Sequence, residues 1–196
     1  MEFSIAAYIL AGGKSSRMGK DKGLISLNDK PMVSYTLNLC KEIGYSPILV
    51  ASQEEYSALG YPVIKDIIPD KGPMGGLYTA LEHNKDEATY ILLFSCDMPF
   101  IPKEAIFKLA EAANDQPIIV SEFMNEINPL FALYHKDLRE QVKLSLEKGH
   151  LKMKGLIETF SHDKIDMEDL VLQTPLRFSN INTPEDLEKS RKLWEK

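Results

Sequence analysis

The sequence predicts an α/β domain built around a mainly parallel sheet, and three observations carry that prediction. Short apolar runs rich in branched residues alternate with longer segments of helical period, the mark of βαβ units. The most hydrophobic run, residues 90–94, has no polar alternation, as expected of a central strand buried on both faces. Glycine-rich or acidic turns follow several of these runs, at the strand ends where open α/β sheets bind ligands. With 196 residues, no internal repeat and no linker, the chain is read as one domain, residues 1–196.

Residues 6–10 form the first expected strand, followed by a glycine-rich basic loop. A helix is expected over 32–43, with Val33, Leu37, Cys40 and Ile43 on one face, Pro31 at its start and Gly44 at its stop. Residues 48–51 read as a strand, 54–59 as a short helix, and 62–65 as a third strand ending in Asp66. The segment 70–77, DKGPMGGL, turns into a helix through Tyr78, Leu81 and His83, giving a second glycine-rich approach to the sheet. A helix is expected over 103–113, and strands over 118–121 and 129–134 are the one place for an antiparallel partner. Helices follow over 136–148 and 153–159, whereas 161–177 show no clear period. At the tail, 178–181 read as a strand. The last helix starts with Thr183 as cap, Pro184 in its first position and Asp186 in its first turn, and Trp194 is expected to pack it down.

A formal net charge of −6 argues against a nucleic-acid-binding or membrane-surface protein, so any basic cluster is a local device. No apolar run approaches the roughly 20 residues needed to span a bilayer. The N-terminus lacks the pattern of a secretory signal, and Cys40 and Cys96 are the only cysteines, so a cytoplasmic protein with reduced thiols is expected. The four histidines lack metal-ligand spacing, and no serine or histidine pattern suggests a hydrolase triad.

The stretch ILAGGKSSRMGKDK, residues 9–22, carries the first chemistry. An apolar run stops in Ala11, Gly12 and Gly13, and Lys14, Arg17, Lys20 and Lys22 follow. Glycines let backbone N–H groups approach an anion, and the cations neutralise phosphate charge. The loop matches neither the dinucleotide fingerprint nor the Walker A pattern, which leaves a polyphosphate grip of another kind or a glycine turn before a solvated basic segment. Asp66 and Asp97 both end expected strands, so a parallel sheet puts them on one rim with the basic loop. Mg²⁺ takes one or two carboxylates together with substrate phosphates, and Asp97 is the best candidate for it. A turn-forming aspartate before Pro99 is the alternative for Asp97, and an aspartate bonding its own backbone the alternative for Asp66. The chemistry that fits is nucleotidyl transfer by positioning and electrostatics, with Arg17, Lys22 and the metal neutralising the phosphates.

LAGGKSSRMGKDK, GPMGGL, FSCDMPFI, NPLFALY and FSNINTPEDL, in this order, resemble the molybdenum cofactor guanylyltransferases over nearly the whole chain. The resemblance implies a single-domain three-layer α/β/α nucleotidyltransferase (Rossmann-like) fold. It also implies an enzyme that uses GTP and Mg²⁺ to attach GMP to the terminal phosphate of molybdopterin and releases pyrophosphate. Position by position it assigns nucleotide contacts to Leu10, Ala11, Gly12, Gly13, Lys22, Asp66 and Asp97, and the metal to Asp97. Arg17 and Lys22 would hold the triphosphate, and Asn180 and Asn182 fall in the pterin-side motif, where a strand end and a cap-adjacent turn are the bland reading. The chain departs from the family at Ala51 and Ser52, where an Asn often stands near the base, and at Asn128-Pro129, where His-Pro is common. The alternatives are a sister enzyme, such as a molybdopterin cytidylyltransferase or a sugar-phosphate nucleotidyltransferase, and a catalytically silent nucleotide-binding module. Whether molybdenum-cofactor-loading proteins deliver the pterin is left open by the sequence.

Overall fold

A computed structural model describes residues 3–12, 21–85, 87–173 and 177–194. The main sheet contains β1 (Ile5–Leu10), β4 (Ile48–Val50), β5 (Val63–Ile64), β6 (Tyr90–Ser95), β7 (Ile118–Phe123), β8 (Glu126–His135) and β9 (His162–Asp166). Their spatial order is β5-β4-β1-β6-β8-β7-β9, with β6 in the middle and every residue of it buried. Only β8 runs against its neighbours: it pairs antiparallel with β6 and β7, and the remaining pairs are parallel. A hairpin explains the reversal, since Met124 and Asn125 take φ of 52° and 60°, the left-handed pair that a tight β7–β8 turn requires.

Alternation along the strands divides the core into two layers. Tyr90, Leu92 and Phe94 of β6 face one side, where they meet Val33, Leu37 and Cys40 of α1 (Val33–Glu42) and Ile106 and Leu109 of α3 (Lys103–Glu111). Ile91 and Leu93 face the other. There they meet Leu77 and Leu81 of α2 (Gly72–Asn84), Val142 and Leu146 of α4 (Arg139–Glu147), and Leu156 and Ile157 of α5 (Met153–Thr159). The chain is thus an α/β/α sandwich on a mainly parallel sheet, as expected. Cys40 and Cys96 are free and buried.

Several expectations need correction. Residues 178–181 form no strand: both edges of β6 are already taken by β1 and β8, and the tail instead crosses beyond the strand end, where Ile181 N–H donates to Asp97 O at 2.9 Å. Residues 161–177, read as irregular, contain β9 and α6 (Glu168–Gln173). The strand escaped because HDKID lies at a sheet edge, where charged side chains are favoured and apolar alternation is weak. A separate hairpin, β2 (Ser26–Leu27) with β3 (Lys30–Pro31), was not foreseen. Its Leu27 packs with Met32, Ile181 and Leu187, and Ser26 O accepts from Arg191, so this hairpin fastens α7 (Pro184–Trp194) and the tail ahead of it. The helix expected over 136–148 is a 3-10 turn, Lys136–Leu138, continuing into α4, and that over 54–59 is wholly 3-10. Gly13 and Arg17, with the rest of 13–20, lie outside the described residues, as does the side chain of Trp194.

Candidate active site

Four strand ends and two capped turns converge on an open cleft of about 850 Å³. From β1 come Leu10, Ala11 and Gly12; from the end of β4, Val50, Ser52 and Gln53; from beyond β5, Asp66, Pro69 and Asp70; from the start of α2, Gly72, Pro73 and Gly76; and from β6, Ser95, Cys96 and Asp97. Lys22, Leu130 and Asn182 complete the wall. All four strands present their carboxyl ends here, the expected ligand edge of a parallel sheet.

Two glycines shape the cleft wall. Gly12 has φ of 99°, open to glycine and strained for L side chains. A Cβ on Gly76 would stand 2.7 Å from Leu10 Cδ2, so its absence lets the start of α2 lie directly on the end of β1.

Lys22 opens a 3-10 turn, Lys22–Leu24, capped by Asp21, whose carboxylate accepts from Gly23 N at 3.1 Å. Its ammonium donates to Asn182 Oδ1 and lies 3.6 Å from Asp97 Oδ2. Three residues from distant parts of the sequence therefore meet at one point. Asn182 is held there by the start of α7: Asp186 Oδ2 accepts from Asn182 N at 3.1 Å and Thr183 N at 2.9 Å, while Thr183 Oγ1 accepts from Asp186 N. This is a capping box, as the sequence predicts. Those bonds lower the Asp186 pKa.

The carboxylates are incompletely paired. Asp97 Oδ1 and Asp66 Oδ1 are buried without a partner among the described residues. Burial raises the Asp66 pKa above its ordinary value, and a hydrogen bond with Thr79 partly offsets the effect. Burial first, and Asp97 and Asp21 next, push the Cys96 thiol up, which disfavours its thiolate.

Of the residues predicted from the sequence, Leu10, Ala11, Gly12, Lys22, Asp66, Asp97 and Asn182 come together in the cleft. Asn180 is exposed and does not line it. Ala51 is buried in the core at 1% exposure, so at this point of β4 it is Ser52 and Gln53 that reach the cleft. Asn128 is committed elsewhere, donating to Met98 Sδ and accepting from Leu130 N. Sequence reasoning missed Asp21, Gln53 and Tyr56. The signal available for Asp21 was its position directly before Lys22-Gly23, at the close of the basic loop.

The sequence matches the MobA-like NTP transferase domain over residues 7–165. It is 34% identical over 196 residues to a probable molybdenum cofactor guanylyltransferase of Carboxydothermus hydrogenoformans, covering 97% of each chain. The chain belongs to the molybdenum cofactor guanylyltransferase family. A molybdenum cofactor guanylyltransferase of Vibrio campbellii is 35% identical, with 91% of each chain covered. The fold agrees with a solved structure, molybdopterin-guanine dinucleotide biosynthesis protein A from Archaeoglobus fulgidus. That likeness has a TM-score of 0.80 at 22% identity and covers 97% of this chain and 98% of the other.

Proposed function

We propose that this chain transfers GMP from GTP to the terminal phosphate of molybdopterin, forming the guanine dinucleotide cofactor and releasing pyrophosphate. The meeting of Lys22, Asp97 and Asn182 at one point carries the reading. It joins the end of the phosphate loop, a strand-end carboxylate and the pterin-side tail motif.

In this reading Leu10, Ala11 and Gly12 hold the nucleoside end, and Lys22 faces the triphosphate. Arg17, from the same basic loop, is assigned there by family likeness alone. The acceptor's terminal phosphate needs no general base, because a phosphate monoester is largely dianionic near pH 7. Its oxygen attacks the α-phosphorus, a new P–O bond forms, and the bond to the β-phosphate breaks with its electron pair leaving on pyrophosphate. Lys22 stabilises charge accumulating on the phosphate oxygens, strongest where the cleft excludes water.

Mg²⁺ belongs to the same proposal, and the residues fit it. Asp97 offers a buried, unpartnered carboxylate oxygen. Among the described residues no group of three or more metal-ligating side chains exists, which suits an ion that arrives with substrate phosphates. When bound, it supplies further positive charge to the phosphates. Asn182, with Asn180 nearby in the chain, is assigned to the acceptor side. We place the reaction in the cytoplasm; among the described residues no helix is long and apolar enough to cross a membrane.

The test is pyrophosphate release with purified protein, GTP, Mg²⁺ and molybdopterin. The reading expects release only when all are present, and release independent of molybdopterin would contradict it.

A further inference from the structure

We infer that Asp21 and Tyr56 form a positioning clasp that aims Lys22 into the cleft, a role that rests on the proposed transfer reaction. Tyr56 lies in the 3-10 helix Glu54–Leu59 beyond β4, with 0% exposure, packed in the same core cluster as Leu37, Leu49 and Cys96. Its hydroxyl donates to Asp21 Oδ1, the oxygen that also accepts from Gly23 N at 3.1 Å. One carboxylate oxygen thus ties a rigid core phenol to the turn whose first residue is Lys22.

Two further observations give the clasp its precision. A Cβ on Gly23 would collide with the Tyr56 hydroxyl, so the Lys22–Leu24 turn rests directly on the phenol. The other carboxylate oxygen, Asp21 Oδ2, lies 3.5 Å from where a Cβ on Gly12 would be, and it is buried without a partner among the described residues. Asp21 therefore stands between Gly12 and Lys22, the two described residues that line the cleft on either side of the basic loop.

Tyr56 remains a donor across the working pH range. Burial, and then its bond to Asp21, raise its pKa well above the ordinary phenol value. A core tyrosine needs only some acceptor for its hydroxyl. Here the acceptor is the cap of the turn that presents the phosphate-facing lysine, and the glycine after that lysine leaves no space between turn and phenol. A lysine is a point charge on a flexible stem, so the backbone it grows from decides where the charge can reach.

The experiment is a double-mutant cycle on Tyr56→Phe and Lys22→Gln, read as single-turnover transfer from α-labelled GTP to molybdopterin, which resolves rates far below wild type. Melting curves establish that each variant is folded. Tyr56→Phe keeps the ring and its packing. We expect it to slow transfer about tenfold at saturating GTP with less than about a threefold change in KM. In the Lys22→Gln background the same change should cost less than about twofold, because the charge it aims is gone. A Tyr56→Phe rate within about twofold of wild type would overturn the clasp, and so would an equal loss in both backgrounds, the mark of a purely structural role. Absence of transfer by the wild-type protein would instead count against the proposed reaction, so the two failures are distinct.

Discussion

Asp97 and Asp66 reach the same cleft with one buried, unpartnered oxygen each, yet their surroundings set them different tasks. Asp97 sits 3.6 Å from Lys22, where its charge is compensated before any ligand arrives. Asp97→Asn keeps shape and removes charge. It should leave the melting temperature within a few degrees of wild type and lower turnover at least about a hundredfold, about 2.7 kcal/mol, within the range of a metal's contribution. A folded Asp97→Asn protein with near-normal turnover would remove the metal assignment. Asp66 is desolvated with no ion pair among the described residues, and burial raises its pKa. A carboxyl whose folded pKa exceeds its unfolded one gives stability that is complete below the unfolded value, 3.8, and is lost as pH rises through the folded value. Asp66→Asn should therefore melt higher than wild type near pH 7 and lose that advantage below about pH 4, while binding GTP more weakly. Thermal scans at the two pH values, with GTP titration at neutral pH, check both halves; a lower melting temperature at pH 7 would contradict this account.

At the scale of elements, α2 shows how adjacent glycines serve different ends. A Cβ on Gly75 would meet Lys71 Cβ at 2.9 Å and the backbone oxygen of Ile68 at 3.1 Å, neither of which yields easily. A Cβ on Gly76 would meet only the tip of Leu10, a side chain that can move into the cleft. Gly75→Ala should therefore destabilise the fold by about 1–3 kcal/mol, the usual cost of overpacking. Gly76→Ala should cost less stability and instead raise the KM for GTP severalfold. Denaturant melts and steady-state kinetics on the pair separate the two effects, and the reverse pattern would refute this view of α2. The GPMGGL motif was visible in the sequence as a glycine-rich turn into a helix, but which glycine meets backbone and which meets a side-chain tip is decided by packing. The same limit applies elsewhere. Strands with strong apolar character, such as β6, were legible, as was the reversed β8. The edge strand β9, the two-residue strands β2 and β3 and the short α6 carry too little pattern, and their form depends on neighbours. The tail misled for the complementary reason: Phe178 and Ile181 are buried like strand residues, at 4% and 1% exposure, but no free edge of β6 remains for them to pair with.

For the whole molecule, the arrangement joins sequence segments that lie far apart. Lys22 and Asn182, separated by 160 positions, share a hydrogen bond because β1 and β6 are neighbours and the β2–β3 hairpin fastens the tail across their carboxyl ends. Individual site residues were legible because strand ends and glycine turns mark themselves in sequence. The coupling among them was not, since Asp21, Tyr56 and Gln53 acquire meaning only when the segment after β4 folds against Gly12 and Asp21. The proposed transfer requires the cleft to select guanine over other bases. Guanine and cytosine present different polar edges, and a site that bonds one leaves its own groups unpaired with the other, so discrimination can be large. The direct measurement is the catalytic efficiency of pyrophosphate release with molybdopterin as acceptor and GTP or CTP supplied in turn. GTP should be favoured by at least about a hundredfold; equal efficiencies, or a preference for CTP, would mean that this chain is no guanylyltransferase.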